Sequence, residues 1–405
     1  MILKKQLSFI LLFMAVLNGC ANNADRAAQS AEEASTVSVT VDHELYFSLP
    51  DEPGDIHSSE EFDFYVQTVA EGLSTPWGMA FLPNGSMLVT EREGNLRLIA
   101  DGILVDEPVA NVPEVKAQNQ GGLLDVELHP DFERNGWIYM SYSKPDGESS
   151  MTAIFRAKYD SAAHALTDIE EIYVGHPFTE RGHHYGSRIV FDHDGYLYFS
   201  IGDRGEMETA QDYNTSQGNL FRLHDDGSVP SDNPFVGEEE GLDEIFSYGH
   251  RNIQGMTVHP ETGVVWTSEH GPRGGDEINI NNKPGANYGW PVITYGINYD
   301  GNIISEKSEE EGMEQPVMYW DPSIAPSGMA FITGDTYPGW EGSIMNGALS
   351  FQLLSRIVVD GEEYVKEERL LEGIGRIRDV QMGTDGYLYF ANESDGTLNR
   401  LIPVE

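Results

Sequence analysis

The chain has 405 residues, 40% of them hydrophobic, which is enough for one large core. Its 24 Lys and Arg residues against 67 Asp and Glu residues give a formal net charge of −43, which repels nucleic acid and anionic lipid surfaces and argues against both as partners. We interpret this charge as a solvated acidic surface. The single cysteine leaves no intramolecular disulfide.

Residues 1–20 have the layout of a lipoprotein signal peptide. Lys4 and Lys5 precede an apolar run over 7–17, which is shorter than the roughly 20 residues that span a membrane. Cys20 follows a small residue at the end of this run, which predicts the acylated first residue of a mature lipoprotein. An ordinary cleaved signal peptide with an incidental cysteine is the alternative.

The segment 21–60 is rich in Ala, Glu, Asp and Ser, and it predicts an acidic, flexible tether between the lipid and a folded domain. Ala21 stands where an aspartate commonly retains lipoproteins in the inner membrane of enteric bacteria. We therefore expect a lipoprotein of the cell envelope that faces the periplasm, with the outer membrane favoured. The only membrane contact expected is the lipid anchor.

Beyond the tether, one pattern recurs: an apolar strand, a turn that ends in glycine, and a second apolar strand. The turn glycines lie 44 to 79 residues apart, at Gly85, Gly136, Gly195, Gly263, Gly342 and Gly386. Six such hairpins with blade-sized spacings predict an all-β fold, a six-bladed β-propeller over 61–405. A strand over 64–69 is expected to join the C-terminal blade and close the ring. A two-sheet sandwich explains neither the number of repeats nor their spacing.

The loops of a propeller gather at its two faces, so chemistry is expected on the inserted segments 176–188, 203–218, 247–254, 269–290 and 321–328. The sequence lacks a GxGxxG that opens a helix, and it lacks P-loop, HExxH, GxSxG and CxxC motifs. Nicotinamide, nucleoside triphosphate and thiol chemistry therefore lose support.

His183 and His184 lie in the loop ahead of the third hairpin, where they can reach the mouth of the central channel. A neutral histidine can accept a proton near pH 7, although a histidine pair on a loop is more often exposed or structural. Arg376 and Arg378 share one face of a strand, because alternate residues do. The two guanidinium groups need an anion between them, such as a cofactor or substrate, unless they face outward and pair with the acidic surface.

Two further loops carry weaker signals. Residues 248–255 place the cation of Arg251 and the amide of Asn252 between glycines. Residues 269–277 form a turn with exposed carbonyl groups and nearby carboxylates, and Ca²⁺ prefers such oxygen ligands.

Read together, these stretches resemble the soluble PQQ-dependent aldose sugar dehydrogenases, relatives of soluble quinoprotein glucose dehydrogenase. The resemblance covers about residues 64 to 403 and rests on nine motifs in register. They are NQGGLLDVELHPDF, HYGSRIVFDHDG, IGDRGE, GNLFRLHDDGSVPSDNPF, GHRNIQG, EHGPRGGDEINI, ANYGWP, PSIAPSGMAF and RIRDV.

The resemblance implies a role for particular residues. His184 matches the general base that takes the proton of the sugar's anomeric hydroxyl. The carbonyl oxygens of Gly271 and Pro272 match the Ca²⁺ ligands. The residues that match those holding or lining the PQQ site are Gln120, Arg251, Asn252, Arg376 and Arg378.

The sequence departs from the family pattern at two places. In the glucose dehydrogenase branch a lysine near the position of Ser350 contacts the cofactor. This chain has no lysine there, so we expect weaker PQQ binding. His183 replaces the acidic residue expected beside the base. Neither change touches the base or the calcium carbonyls.

The resemblance therefore implies oxidation of aldoses to lactones, with electrons passed to an envelope acceptor, a quinone or a cytochrome. A calcium-dependent sugar lactonase is one alternative, and carboxylate side chains that bind a channel metal directly would favour it. A propeller that only binds glycan or protein is the other. The missing lysine near Ser350 supports that reading, and the retained His184, Arg376 and Arg378 oppose it.

Overall fold

The structure, a computed structural model, describes residues 54–404. The predicted signal peptide, Cys20 and most of the predicted tether lie outside the described residues. The described part is nearly all β. In chain order its strands are β1 (Ile56–Ser58), β2 (Asp63–Ala70), β3 (Pro76–Phe81), β4 (Met87–Glu91), β5 (Asn95–Ala100), β6 (Ile103–Leu104), β7 (Leu123–Leu128), β8 (Trp137–Asp146), β9 (Ser149–Asp160), β10 (Ala165–Val174), β11 (Ile189–Phe191), β12 (Leu197–Ile201), β13 (Asn219–Leu223), β14 (Ile245–Tyr248), β15 (Ile253–Val258), β16 (Val265–Glu269), β17 (Asp276–Asn281), β18 (Met318–Trp320), β19 (Pro326–Phe331), β20 (Ile344–Ala348), β21 (Leu354–Asp360), β22 (Glu363–Leu370), β23 (Ile377–Met382), β24 (Leu388–Asn392) and β25 (Thr397–Pro403).

These strands form six antiparallel sheets, which confirms the predicted six-bladed β-propeller. The first five blades are the four-stranded sheets β3–β6, β7–β10, β11–β14, β15–β18 and β19–β22. The sixth blade has the order β1-β2-β25-β24-β23, so the strand predicted over 64–69 does close the ring. Two short helical turns, α1 (Phe132–Asn135) and a 3₁₀ helix at Met207–Gln211, lie in loops. Within 54–404 no helix is long and apolar enough to cross a membrane.

Each repeat found in the sequence is the first hairpin of a blade. The six turn glycines all have φ between 71° and 83°, a left-handed backbone that glycine adopts without a Cβ penalty. The second strands are buried on both faces because each sheet packs between two neighbours, as in β12 and β24. The repeated apolar strands therefore form the cores between blades.

The first strands of successive blades contact each other in cyclic order and surround the propeller axis. Neighbouring first strands are closest at one equivalent position near their starts, where the residue type limits how near the two backbones can lie. A Cβ on Gly78 would lie 2.6 Å from Asp125 Oδ1, and one on Gly328 would lie 2.2 Å from Asp379 Oδ1. Glycine in one blade thus makes room for the aspartate of the next.

Arg188 occupies the same position in the third blade and fills the middle of the ring. Its guanidinium pairs with Asp125 at 3.0 Å and with Asp379 at 2.8 Å, and it donates to the carbonyl oxygens of Gln254 and Arg378. It is buried, and it therefore links its own blade to the second, fourth and sixth blades.

Residues 56–58, just before the predicted start of the propeller domain, form a strand of the sixth blade. β1 lies inside the predicted tether but pairs with β2, with His57 opposite Phe64. Glu61 then anchors this segment to the fifth blade through Arg356, at 2.7 Å. A three-residue strand in an acidic segment has no periodicity of its own, so its pairing depends on the rest of the fold.

Candidate active site

The topology brings the predicted residues to one face. In an antiparallel hairpin the start of the first strand and the end of the second lie at the same edge. Gln120, His184 and Arg251 precede the first strands β7, β11 and β15, whereas Gly271 and Pro272 follow the second strand β16. Residues far apart in the sequence therefore share one end of the propeller.

His184 is fixed at this face by its backbone and its ring. Its φ of 55° is unusual for a residue with a side chain, and its N–H donates to Gln120 Oε1 at 2.8 Å. Its Nδ1 lies 2.6 Å from Asp203 Oδ1. Within residues 54–404 the other ring nitrogen, Nε2, makes no hydrogen bond, so it is left for a ligand.

Asp203 is the carboxylate that orients this histidine. Its Oδ2 accepts from Trp290 Nε1 at 2.8 Å, and its Oδ1 accepts from the Gly205 N–H at 2.7 Å. Burial alone would raise the pKa of Asp203, but the hydrogen bond from His184 and the charge of Arg251 hold it below the ordinary value. The group is therefore a charged acceptor.

The protonation of His184 follows from these surroundings. Burial lowers the pKa of His184 to about 4, against the raising effect of the bond to Asp203. At neutral pH the ring is uncharged, its Nδ1–H donates to Asp203, and Nε2 carries the lone pair. This is the arrangement that a general base requires.

A cavity of about 360 Å³ lies beside this pair, and we call it the base cavity. It is lined by Gln120, His183, His184, Asp203, Gly205, Met207, Arg251, Pro272, Trp290, Asn298 and Tyr299. A second cavity of about 320 Å³, the arginine cavity, is lined by Trp77, Arg92, Gln120, Leu124, Tyr185, Gly186, Gln254, His270, Ala325, Leu349, Ser350, Arg376, Arg378 and Glu393. Gln120 lines both, so the two cavities adjoin.

Arg376 and Arg378, the two arginines predicted to hold an anion, both pair with the carboxylate of Glu393. Glu393 lies 2.8 Å from Arg378 Nε and 3.3 Å from Arg376 Nε. These arginines lower the pKa of Glu393 against the raising effect of burial, so this carboxyl is charged. Arg378 is buried and also donates to Gln254, while Arg376 keeps 40% of its side chain exposed. Of the two, Arg376 is the more available to a ligand.

Arg251 lines the base cavity, and the buried Asn252 follows it in the chain. Arg251 Nη1 donates to the His270 carbonyl at 2.9 Å, and its guanidinium lies 5.3 Å from the Trp290 ring centre. Asn252 Oδ1 accepts from the Gly186 N–H at 3.1 Å. Its Nδ2, however, is buried without a hydrogen-bond partner among the described residues. Such a donor is costly unless a ligand satisfies it.

Gly271 and Pro272 lie in a tight turn that leaves no room for a side chain at position 271. A Cβ on Gly271 would lie 2.2 Å from the Gly275 carbonyl oxygen. The Gly271 N–H donates to Asp276 Oδ1 at 2.8 Å, which fixes the turn. Within residues 54–404 the carbonyl oxygens of Gly271 and Pro272 accept no hydrogen bond, so both are free to bind a cation.

The structure therefore places the residues predicted for catalysis, cofactor binding and calcium binding at one face, whereas Cys20 lies outside the described residues. Ser350 also lines the arginine cavity, and the His183 ring centre lies 4.7 Å from that of His184. Asp203, Trp290, His270 and Glu393 were not predicted as site residues from the sequence. The carboxylate expected next to the base in sequence comes instead from Asp203 of the IGDRGE motif.

The glucose/sorbosone dehydrogenase family model matches residues 73–400. The chain belongs to this family of sugar oxidoreductases. It is 44% identical over 345 residues to aldose sugar dehydrogenase YliI of Escherichia coli, covering 84% of this chain and 92% of that one. Quinoprotein glucose dehydrogenase B of Acinetobacter calcoaceticus is 27% identical, with 92% and 93% of the two chains covered.

Solved structures agree with this assignment. The apo form of the soluble E. coli aldose sugar dehydrogenase superposes with a TM-score of 0.81 at 42% identity, over 84% of this chain and all of that one. The PQQ-bound aldose sugar dehydrogenase of Streptomyces coelicolor gives a TM-score of 0.71 at 29% identity, over 84% and 98% of the two chains.

Proposed function

We propose that this protein oxidises aldoses to lactones with PQQ and Ca²⁺ and passes the electrons to an acceptor in the cell envelope. The observation that carries the proposal is the His184–Asp203 pair at 2.6 Å, which leaves His184 Nε2 unprotonated in a cavity that adjoins the arginine cavity. The relatives named as aldose sugar and glucose dehydrogenases support the same chemistry.

The residues of the site fit an anionic cofactor. PQQ is a tricarboxylate, and Arg251, Arg376 and the unpaired Asn252 Nδ2 offer donors to carboxylate and carbonyl oxygens. Arg378 lines the arginine cavity and would contribute mainly its charge there, since Glu393 occupies one edge of its guanidinium. When bound, PQQ supplies the quinone that accepts a hydride from C1 of the sugar.

The Gly271–Pro272 turn fits a calcium ion by the chemistry of its donors. Ca²⁺ favours backbone carbonyl oxygens, and Gly271 and Pro272 supply two that accept no hydrogen bond within residues 54–404; Pro272 also lines the base cavity. A cation there would polarise an oxygen of the cofactor as a Lewis acid.

The chain's own residues then move the proton. His184 Nε2 takes the proton of the anomeric hydroxyl, and Asp203 stabilises the imidazolium that results. Trp290 and the Gly205 N–H keep Asp203 in place through both its oxygens. Loss of the hydroxyl proton and the C1 hydride converts the aldose into its lactone.

The envelope location is part of the same proposal. It rests on the pattern that ends at Cys20, which predicts a lipid anchor facing the periplasm, with the outer membrane favoured. A quinone or a cytochrome of the envelope would serve as electron acceptor.

A hydrolase is less well supported by the site. The buried aspartates near the axis, Asp125 and Asp379, are paired with Arg188 and so are not open metal ligands. Among residues 54–404, the one cluster of three acidic ligand groups is Glu60, Glu61 and Glu368; it lines neither cavity, and Arg356 and Lys366 neutralise it.

The test is dye-linked oxidation of several aldoses by the chain without residues 1–20, with and without added PQQ and Ca²⁺, with the product identified by mass spectrometry. Activity that requires both additions and yields the lactone supports the proposal. Turnover of lactones without PQQ would support the hydrolase instead. Neither activity, together with saturable glycan binding, would support a propeller that only binds.

A further inference from the structure

The long loop between β17 and β18 contributes one wall of the base cavity. Asn298 and Tyr299 of this loop line the cavity together with His184. Trp290, earlier in the same loop, holds Asp203, but none of the motifs that carry the family resemblance includes Asn298 or Tyr299. The role of these two residues must therefore be sought in what they present to a ligand.

The tip of the loop is held in place. Arg273 and Ile297 exchange two backbone hydrogen bonds, at 2.9 and 3.0 Å, and so attach the loop to the Gly271–Pro272 turn. A tight turn follows, in which the Asn298 N–H donates to the Asn302 carbonyl at 2.9 Å. Asp300 Oδ1 accepts from the Asn302 N–H at 2.9 Å and rigidifies this turn.

Tyr299 is the most exposed large side chain of apolar character among the described residues. Its relative exposure is 73%, although it lines the cavity that contains the general base. An aromatic ring left open on a rigid turn beside a reactive group offers apolar area and a hydroxyl to a bound molecule. The C–H face of a pyranose ring is apolar and its edge is polar, which complements such a side chain.

We propose that Tyr299 is a specificity-determining residue of the proposed aldose oxidation, whose ring packs against the C–H face of a pyranose while the anomeric hydroxyl faces His184. The amide of Asn298 lies in the same cavity wall and is suited to a ring hydroxyl. Tyr299 lines the base cavity and not the arginine cavity, so its replacement leaves Arg376 and Arg378 in place for the cofactor. This inference rests on the proposed function.

The experiment compares Tyr299→Ala and Tyr299→Phe with the wild type, all loaded with PQQ and Ca²⁺. Because the side chain is exposed, neither variant should lose its fold. We expect Tyr299→Ala to raise the KM for D-glucose and D-xylose about tenfold with kcat changed less than threefold, and Tyr299→Phe, which keeps the ring, to stay within threefold of the wild-type KM. Quenching of tryptophan fluorescence by PQQ should be unchanged in both.

An unchanged KM in Tyr299→Ala would overturn the inference while leaving the proposed function intact. Equal losses of PQQ affinity and sugar affinity would also overturn it, since they would indicate a general disturbance of the site. If the wild type oxidises no aldose, the proposed function fails, and calorimetric titration with the same sugars still tests Tyr299. Equal dissociation constants for the wild type and Tyr299→Ala, or no sugar binding, would then refute its role.

Discussion

Replacing Asp203 by asparagine tests how the base is prepared. Three donors converge on this carboxylate: His184 Nδ1 at 2.6 Å, the Gly205 N–H at 2.7 Å and Trp290 Nε1 at 2.8 Å. An asparagine has one acceptor oxygen and one donor nitrogen. If the oxygen faces His184, its NH₂ meets the indole N–H, and if it faces Trp290, its NH₂ meets Nδ1 and favours the tautomer with the proton on Nε2.

The size of the effect follows from these contacts. A hydrogen bond to a charged group contributes about 1.5–3 kcal/mol, and each 1.4 kcal/mol is about tenfold in rate. A general base contributes about 10²–10⁴-fold in total. We therefore expect Asp203→Asn to lower kcat by about 10²-fold or more, with a small change in KM.

The pH dependence gives a second readout. His184 acts in its neutral form, so kcat/KM should stay level down to about pH 4, the pKa that burial gives it, and fall below that pH. Asp203 raises the pKa of His184, so Asp203→Asn should lower that pKa. The fall of kcat/KM at acid pH should therefore begin at a lower pH in the variant. The assay is dye-linked turnover from pH 3.5 to 8, with the exposed Asp194→Asn as control. A wild-type kcat in Asp203→Asn would refute this reasoning. So would a fall in kcat/KM of the wild type that begins near pH 6.5.

Two further predictions concern the axis and the arginine cavity. Arg188→Met leaves Asp125 and Asp379 buried without their cation, so we expect the free energy of unfolding in urea to fall by about 3–5 kcal/mol. The control Lys158→Met removes an exposed ion pair with Asp168, 2.9 Å long, and should lower the free energy of unfolding by less than about 1 kcal/mol. Equal losses of unfolding free energy in the two variants would contradict the role given to Arg188. Ser350→Lys restores a cation beside the arginine cavity and should tighten PQQ binding up to about fivefold, measured by tryptophan fluorescence. Ser350→Met is the neutral control, and equal gains in both variants would exclude a charge effect.

The blades could be predicted from the sequence because each hairpin pattern lies within a short stretch of the chain. Each first hairpin contains its own alternation and a turn glycine with positive φ, so six copies could be counted without knowing the fold. β1 escaped prediction because its three residues gain order only by pairing with β2.

The site was predictable only in part, for the same physical reason. The resemblance located His184 and the arginines, but their partners come from loops brought together by closure of the ring. Asp203 is 19 residues from His184, and Trp290 is 87 residues from Asp203, with no periodicity to connect them. Similarly, the anion expected between Arg376 and Arg378 is already present as Glu393, on the loop after the next strand.

The most direct test of the central claim is single-turnover reduction of bound PQQ by an aldose, followed by stopped-flow absorbance, in the wild type and in His184→Ala. We expect similar PQQ binding by both proteins, since His184→Ala leaves Arg251, Arg376 and Arg378 in place, and a rate of cofactor reduction at least about 10²-fold slower in the variant. Reduction at the wild-type rate in His184→Ala would show that His184 is not the base.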